Sequence, residues 1–390
     1  MSTKLYRIII VAVTAGAVAP ADATPRQAPA RWTLVPDLRI GSIDDPEYSL
    51  TSVGAIAVGA NGTMYVVQYL DRQLVMFDRD GRLLGRIGRQ GGGPGEFESP
   101  GAPKWRADTL VVPDFRLQRL TFFTADGQLI GTERLVSPPS ANRWFFPTVP
   151  TALLPDGSAV VRPSSMARSQ FEGRSRVPLL RLGRSGTVLD TLAWLDVSHS
   201  ALALQHGDGA FFTGQPLADD PLWQVAPDGS SMVFIDRLAA ERRNDARFVV
   251  TKITGTGDTV YSRPHEYDPI AVPRGFIDSV VESVSERASR RTFPSPRAAA
   301  RAIREALYMP DFLPPVTGVV IGRDGTVWLK RESATGDSIA WNVLDESGNM
   351  VAILTLPKGL RVQEAQRDLV WAVERDELDV PYVVRFRVER

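Results

Sequence analysis

The sequence predicts an all-β fold, a six-bladed β-propeller of four-stranded antiparallel blades, and three observations predict it. A unit of strand, tight turn, strand and polar loop recurs, with its clearest copies starting at Ala55, Ala102, Thr151, Trp223, Gly318 and Leu360. A unit that cannot bury its own apolar face must stack on its neighbours. Asn-Gly, Asp-Gly and Ser-Gly pairs punctuate the units where a hairpin turn requires positive φ. The last unit is one strand short, and one unclaimed apolar strand, Trp32–Ile40, stands near the N-terminus. That strand is expected to complete the last blade from outside, which ties the two ends of the chain into one ring and removes a sheet edge.

The blades follow in order. Blade 1 pairs 55–58 with 64–67 across Asn61-Gly62, and 74–77 with 83–87 across Asp80-Gly81. Blade 2 repeats this with 110–112, 120–123 and Asp126-Gly127. Blade 3 turns at Asp156-Gly157 and Ser185-Gly186, blade 4 at Asp228-Gly229, and blade 5 at Asp324-Gly325 and Ser347-Gly348. Blade 6 holds 360–364, 369–373 and 382–388. Between blades 4 and 5, residues 264–315 break the pattern. Ile277, Val280, Val281 and Val284 fall at helical spacing, and Pro294 and Pro296 open a second helix through Ile303 and Leu307, so this insertion is expected to be partly helical.

Residues 1–23 read as a signal peptide. Lys4 and Arg7 precede an apolar run, 8–19, that is too short to span a bilayer, and Ala21-Asp22-Ala23 fits the small-x-small cleavage rule. Residues 24–390 then form a single propeller domain with no transmembrane segment, exported to a periplasmic or extracellular bacterial location. The chain has no Cys, which excludes a lipid anchor on Cys, disulfides and thiolate metal sites. Its formal net charge is zero, with 45 basic and 45 acidic residues, and nucleic acid is not an expected partner because a phosphate-binding surface needs surplus cations.

Leu74 to Gly81, and Asp114-Phe115-Arg116-Leu117-Gln118-Arg119-Leu120 with its Asp-(x)4-Arg-hydrophobic spacing, resemble the NHL-type repeat; the matching positions in blade 1 are Gln68 and Gln73. The Gly88–Phe97 run looks like the linker after the first blade of bacterial exported six-bladed propeller proteins, and Met309 to Trp328 looks like their fifth blade. The resemblance spans nearly all of the mature chain. It implies the fold and almost nothing about activity, because this fold hosts many functions.

Topology sorts the candidate residues. Strands a to d alternate in direction, so all a–b and c–d turns lie on one face of the disc, and all b–c loops and d–a linkers lie on the other. The second face carries the long, irregular, charged segments, and loops on a rigid scaffold are where function concentrates. Its candidate ligand-binding residues are Asp71, Arg72, Asp114, Arg116, Arg162, Arg168, Arg237, Lys330, Arg331, Glu332 and Arg375. An Arg-rich ring binds carboxylates or sugars through bidentate hydrogen bonds; alternatively, Asp and Arg pair between blades and stitch the ring. His199, His206 and His265 all fall in predicted linkers on this face, where converging imidazoles would hold zinc. A calcium site would need inward-facing acids and amides, for which Asn142 and Asn244 are loop candidates. No Gly-x-Ser-x-Gly elbow occurs.

The expected function is a non-enzymatic, monomeric binding or scaffold propeller of the cell envelope, free of cofactor, that recognises a protein, peptide or glycan with the b–c/d–a face. The alternative is a metal-dependent hydrolase or lyase, lactonase-like or amidating-lyase-like, using zinc or calcium at the channel mouth.

Overall fold

The computed structural model describes residues 28–135, 150–162, 175–290, 292–331 and 338–390. The signal-peptide assignment for 1–23 lies outside these residues. The chain opens with β1 (Ala30–Arg31) and β2 (Thr33–Ile40). Blade 1 is β3 (Val53–Val58), β4 (Met64–Gln68), β5 (Gln73–Phe77) and β6 (Leu83–Ile87). Blade 2 is β7 (Lys104–Arg106), β8 (Thr109–Asp114), β9 (Arg119–Phe123) and β10 (Leu129–Arg134). Blade 3 is β11 (Ala152–Leu153), β12 (Ala159–Val161), β13 (Arg176–Leu182) and β14 (Val188–Asp196).

A separate hairpin, β15 (Ala201–His206) and β16 (Gly209–Gly214), precedes blade 4. Blade 4 is β17 (Leu222–Val225), β18 (Ser231–Asp236), β19 (Arg247–Thr254) and β20 (Thr259–Glu266). Helices α1 (Phe276–Ser289) and α2 (Pro296–Ala306) follow. Blade 5 is β21 (Val316–Ile321), β22 (Val327–Arg331), β23 (Ser338–Leu344) and β24 (Met350–Pro357), and blade 6 is β25 (Arg361–Ala365), β26 (Leu369–Arg375) and β27 (Pro381–Glu389).

Each blade is a four-stranded antiparallel sheet, in chain order for blades 1 to 5, and the six form a propeller ring. The first strands pack against one another from blade to blade, β7 with β11, β17 with β21, β21 with β25 and β25 with β3, and so line the axis. Strand β2 pairs antiparallel with β27 and supplies the fourth strand of blade 6, as the unclaimed N-terminal strand predicts. Just before it, β1 adds in parallel to the outer strand of blade 5, with Ala30 opposite Ala352. Trp32 then packs against Trp328 at a ring separation of 6.3 Å. The N-terminal segment thus spans the seam between blades 5 and 6.

The central strands read as continuous apolar runs because both of their faces are buried between blades. Along β4, Met64 and Val66 pack toward blade 6 with Trp371 and Val383, while Tyr65 and Val67 pack toward blade 2 with Trp105 and Leu110. Side chains alternate across a strand, so each strand feeds two interfaces. Complete burial of each such residue contributes roughly 1.5–3 kcal/mol. The tight turns hold the blades together as well as closing them: Gly229, at φ +74°, lies so close to the backbone of Leu153 and Leu154 in blade 3 that a side chain would strike it.

Two features depart from the sequence reading. The linker from blade 3 to blade 4 contains the β15–β16 hairpin. The insertion after blade 4 begins later than residue 264, because β20 continues through Pro264 and His265 to Glu266.

Candidate functional site

The b–c loops and d–a linkers share one face, and the structure shows what their charged residues do. Asp114, at the end of β8, is fully buried, and its carboxylate accepts the backbone N–H groups of Glu98, Ser99, Arg116 and Leu117 at 2.8–3.1 Å. Five residues on, Arg119 donates to the carbonyls of Gly92, Gly93 and Glu96. The Asp-(x)4-Arg pair therefore grips the linker that enters its blade. Gln68, the matching residue of blade 1, does the same with its Oε1, which accepts from the N–H groups of Thr51 and Ser52.

Most of the other candidates are also occupied. Asp71 accepts the Thr51 hydroxyl at 2.6 Å, and Arg72 pairs with Glu98 at 3.5 Å. Arg237 is buried and donates to the carbonyls of Asp220 and Val316, joining blade 4 to the start of blade 5. Arg331 donates to the Pro315 carbonyl at 2.7 Å and lies 5.3 Å over the Phe248 ring. Burial holds both guanidinium groups below their usual pKa. Arg375 pairs with Asp379 at 3.0 Å. Lys330 is half-buried in β22, whereas Arg116 and Arg162 are exposed. Arg168 and Glu332 lie outside the described residues. Among the described residues, much of this ring of charge stitches segments together, and Arg116, Arg162 and Lys330 carry no such contact.

Apolar side chains that the charge pattern does not reveal crown this same face. Leu70 is 76% exposed in the first b–c loop, Phe115 49% in the second, Leu238 54% in that of blade 4 and Leu378 76% in that of blade 6. Tyr69, Ile43 and Met309 add to them from the same face. Among the described residues, the a–b and c–d turns hold no exposed large apolar side chain. Tyr69 and Phe115 occupy matching positions. Their rings lie over Gly54 and Gly101, where a Cβ would overlap them. A glycine just ahead of the inner strand or within it thus seats an aromatic ring beside the channel mouth in blades 1 and 2. The available signal was an apolar residue inside a short polar loop, Tyr69-Leu70-Asp71-Arg72 and Phe115-Arg116-Leu117-Gln118.

The three histidines stand on separate elements, and no group of three His, Asp or Glu side chains able to hold a metal ion occurs among the described residues. His265 is not in a linker; it is buried in the outer strand β20 and stacks on Phe248. His206 ends β15 and packs against Phe293. His199 Nδ1 lies 2.8 Å from Oδ1 of Asp219, and its ring stacks on Tyr308 at 3.6 Å. These residues do not fit one shared zinc ion. Asn142 lies outside the described residues, and Asn244 is exposed in a short 3-10 turn.

Asp219 is a keystone instead. It is 2% exposed, and its second oxygen accepts the Tyr308 hydroxyl at 2.6 Å and the Ala239 N–H at 3.1 Å. Burial and the adjacent carboxylate raise the Tyr308 pKa. Around this keystone, β15 and β16 pack Leu202, Leu204 and Phe211 against Val281, Val284 and Ala288 of α1 and Ile303 of α2. Two separate linkers therefore build one accessory layer on the loop face.

No protein-family model and no curated protein matches the chain. Solved structures are similar over most of its length. A Bacteroides vulgatus member of the DUF4221 family is 10% identical, with 93% of this chain and 100% of that one covered and a TM-score of 0.45. The aldose sugar dehydrogenase of Streptomyces coelicolor is 12% identical, with 93% and 100% covered and a TM-score of 0.44. The virginiamycin B lyase of Staphylococcus aureus is 11% identical, with 92% and 99% covered and a TM-score of 0.41. These neighbours include both enzymes and a family of no stated activity. The fold assignment rests on the chain's own sheet order.

Proposed function

We propose that this protein is a non-enzymatic binding propeller of the bacterial cell envelope that recognises a protein or peptide with its b–c/d–a face. The observation that carries this reading is the asymmetry between the two faces of the disc: among the described residues, large apolar side chains stand in solvent at the loop tips, others such as Leu84, Leu129 and Val188 lie along the outer strands, and none stands at the tight turns themselves. Exposed apolar groups gathered on one surface mark interaction sites. A rigid ring presents them without an ordering cost on its own side. Export fits the apolar run at 8–19 behind Lys4 and Arg7. No helix among the described residues is long and apolar enough to cross a membrane.

The test is quantitative partner capture from the envelope fraction with three forms of the protein. The wild type and a tight-turn variant, Asp228→Lys with Glu346→Lys, are expected to retain the same partner. A loop-face variant, Leu70→Ser with Phe115→Ser and Leu378→Ser, is expected to lose it. Equal capture by all three contradicts the reading. Arg331 is unsuited to such a test, because reversing its charge would break the Pro315 contact and so perturb the fold.

One observation favours a second, catalytic reading. Asp219 orients His199, whose side chain keeps 38% exposure, in the arrangement of a general base. Under that reading, lyase or lactonase turnover would be detectable on a substrate panel and lost in His199→Gln without loss of folding. A folded wild type that turns over nothing on the panel removes the support for this reading.

A further inference from the structure

The tight-turn end of the axis holds a second cluster, built by residues of blades 1, 2, 5 and 6. Glu364 of β25 in blade 6 is buried, and its Oε1 accepts the N–H of Val58 in blade 1 at 3.2 Å. Arg323, in the a–b turn of blade 5, donates through Nη2 to the carbonyl of the same Val58 at 2.8 Å. Its guanidinium also lies 5.3 Å from the centre of the Trp105 ring in blade 2. Blade 5 adjoins neither blade 1 nor blade 2, so Arg323 reaches both only across the axis. Lys104, beside Trp105 on β7, and Glu364 interact electrostatically although blade 1 stands between their blades.

The cluster has more donors than acceptors. Arg323 Nε and Trp105 Nε1 are buried with no hydrogen-bond partner. Among the described residues, no ion pair joins Lys104 or Arg323 to a carboxylate, and the Lys104 ammonium makes no hydrogen bond. A buried donor without an acceptor is costly, and the half-buried Lys104 adds a second cation to a region that holds one carboxylate. Burial also works against the charge of both titrating groups: it lowers the Lys104 pKa and pushes that of Glu364 up to about 7. A protonated Glu364 makes the imbalance larger.

We propose that this end of the axis binds one small oxyanion, a carboxylate or phosphate group, between the Lys104 ammonium and the Arg323 guanidinium, with the Trp105 indole N–H beside them. Such a group supplies the missing acceptors and the missing negative charge together. The site is remote from the loop-tip side chains, so its failure would leave the binding face untouched.

Calorimetric titration of the whole protein with sodium phosphate and with sodium acetate, at constant ionic strength and with chloride as control, tests this. Saturable binding of one anion per chain is expected for at least one probe, and the two arms separate phosphate from carboxylate. Lys104→Gln is expected to weaken binding at least tenfold. Glu364→Gln is expected to tighten it, because the nearby negative charge is gone while the acceptor for Val58 remains. Arg323→Gln also loses the Val58 contact and can perturb folding, so Lys104→Gln, which breaks no protein hydrogen bond, is the deciding variant. No saturable binding beyond chloride, or unchanged binding in Lys104→Gln, overturns the proposal.

Discussion

Asp114 shows how one side chain can be legible in position and ambiguous in role. Its spacing to Arg119 is plain in the sequence, but a carboxylate on a b–c loop has the same signature whether its partner is a ligand or the chain's own backbone. The structure gives it four backbone N–H partners. Asp114→Ala should therefore cost about 3 kcal/mol in urea denaturation, because buried donors lose their acceptor. Arg116→Ala, on the same loop but exposed, should stay within about 0.5 kcal/mol. Glu364 gives a pH test. Below pH 4 its carboxyl is protonated in both folded and unfolded chains. Between there and about pH 7 the unfolded chain ionises it while burial keeps the folded one neutral, so its contribution is lost as pH rises. The loss totals roughly 3 kcal/mol and is complete above the folded pKa. Replacing it, Glu364→Gln, should flatten stability between pH 5 and 8 relative to wild type in parallel urea titrations. An unchanged slope would mean that Glu364 is not buried as described.

At the scale of elements, the hairpin turns were readable because Asp-Gly and Asn-Gly report a backbone requirement directly. The β15–β16 hairpin was hidden because its Gly207-Asp208-Gly209 turn sits inside a segment between blades that reads as a linker. Among the described residues, α1, α2 and the flanking Phe293 and Leu307, all distant in sequence, give its apolar face a partner. That dependence predicts linked stability. Ile303 is fully buried in the joint core of hairpin and helices. Ile303→Ala should cost about 3 kcal/mol of local stability. Hydrogen exchange should speed up in 201–214 and 276–306 together while the blade strands keep their protection. Exchange that speeds up only in the helices would show that the hairpin stands alone. The apolar loop tips were missed because Leu70 and Leu378 sit inside short charged loops, where the neighbouring Asp and Arg draw the reading toward charge and only burial shows which side chains stand in solvent.

For the whole molecule, closure and facing follow from one topology. The ring is shut by β2, whose Ile40 joins the core between blades 6 and 1, and Trp32 just before it fills the core between blades 5 and 6. Deleting residues 28–40 exposes the edge of β27 and removes both contacts. It should lower stability by roughly 5 kcal/mol and promote association through the open edge, read by denaturation and light scattering. The closed ring then leaves two unlike faces, one of tight polar turns and one of loops, linkers and an accessory layer. Its loop face is the surface proposed to bind. Site-specific photocrosslinking in the living cell tests that claim most directly, with the crosslinker placed at Leu70, Phe115 or Leu378 and, for comparison, at Asn61, Asp228 or Glu346 on the turns. Discrete protein adducts from the loop positions and none from the turn positions are the expected result. Adducts from the turns, or equal labelling of both faces, would contradict the account.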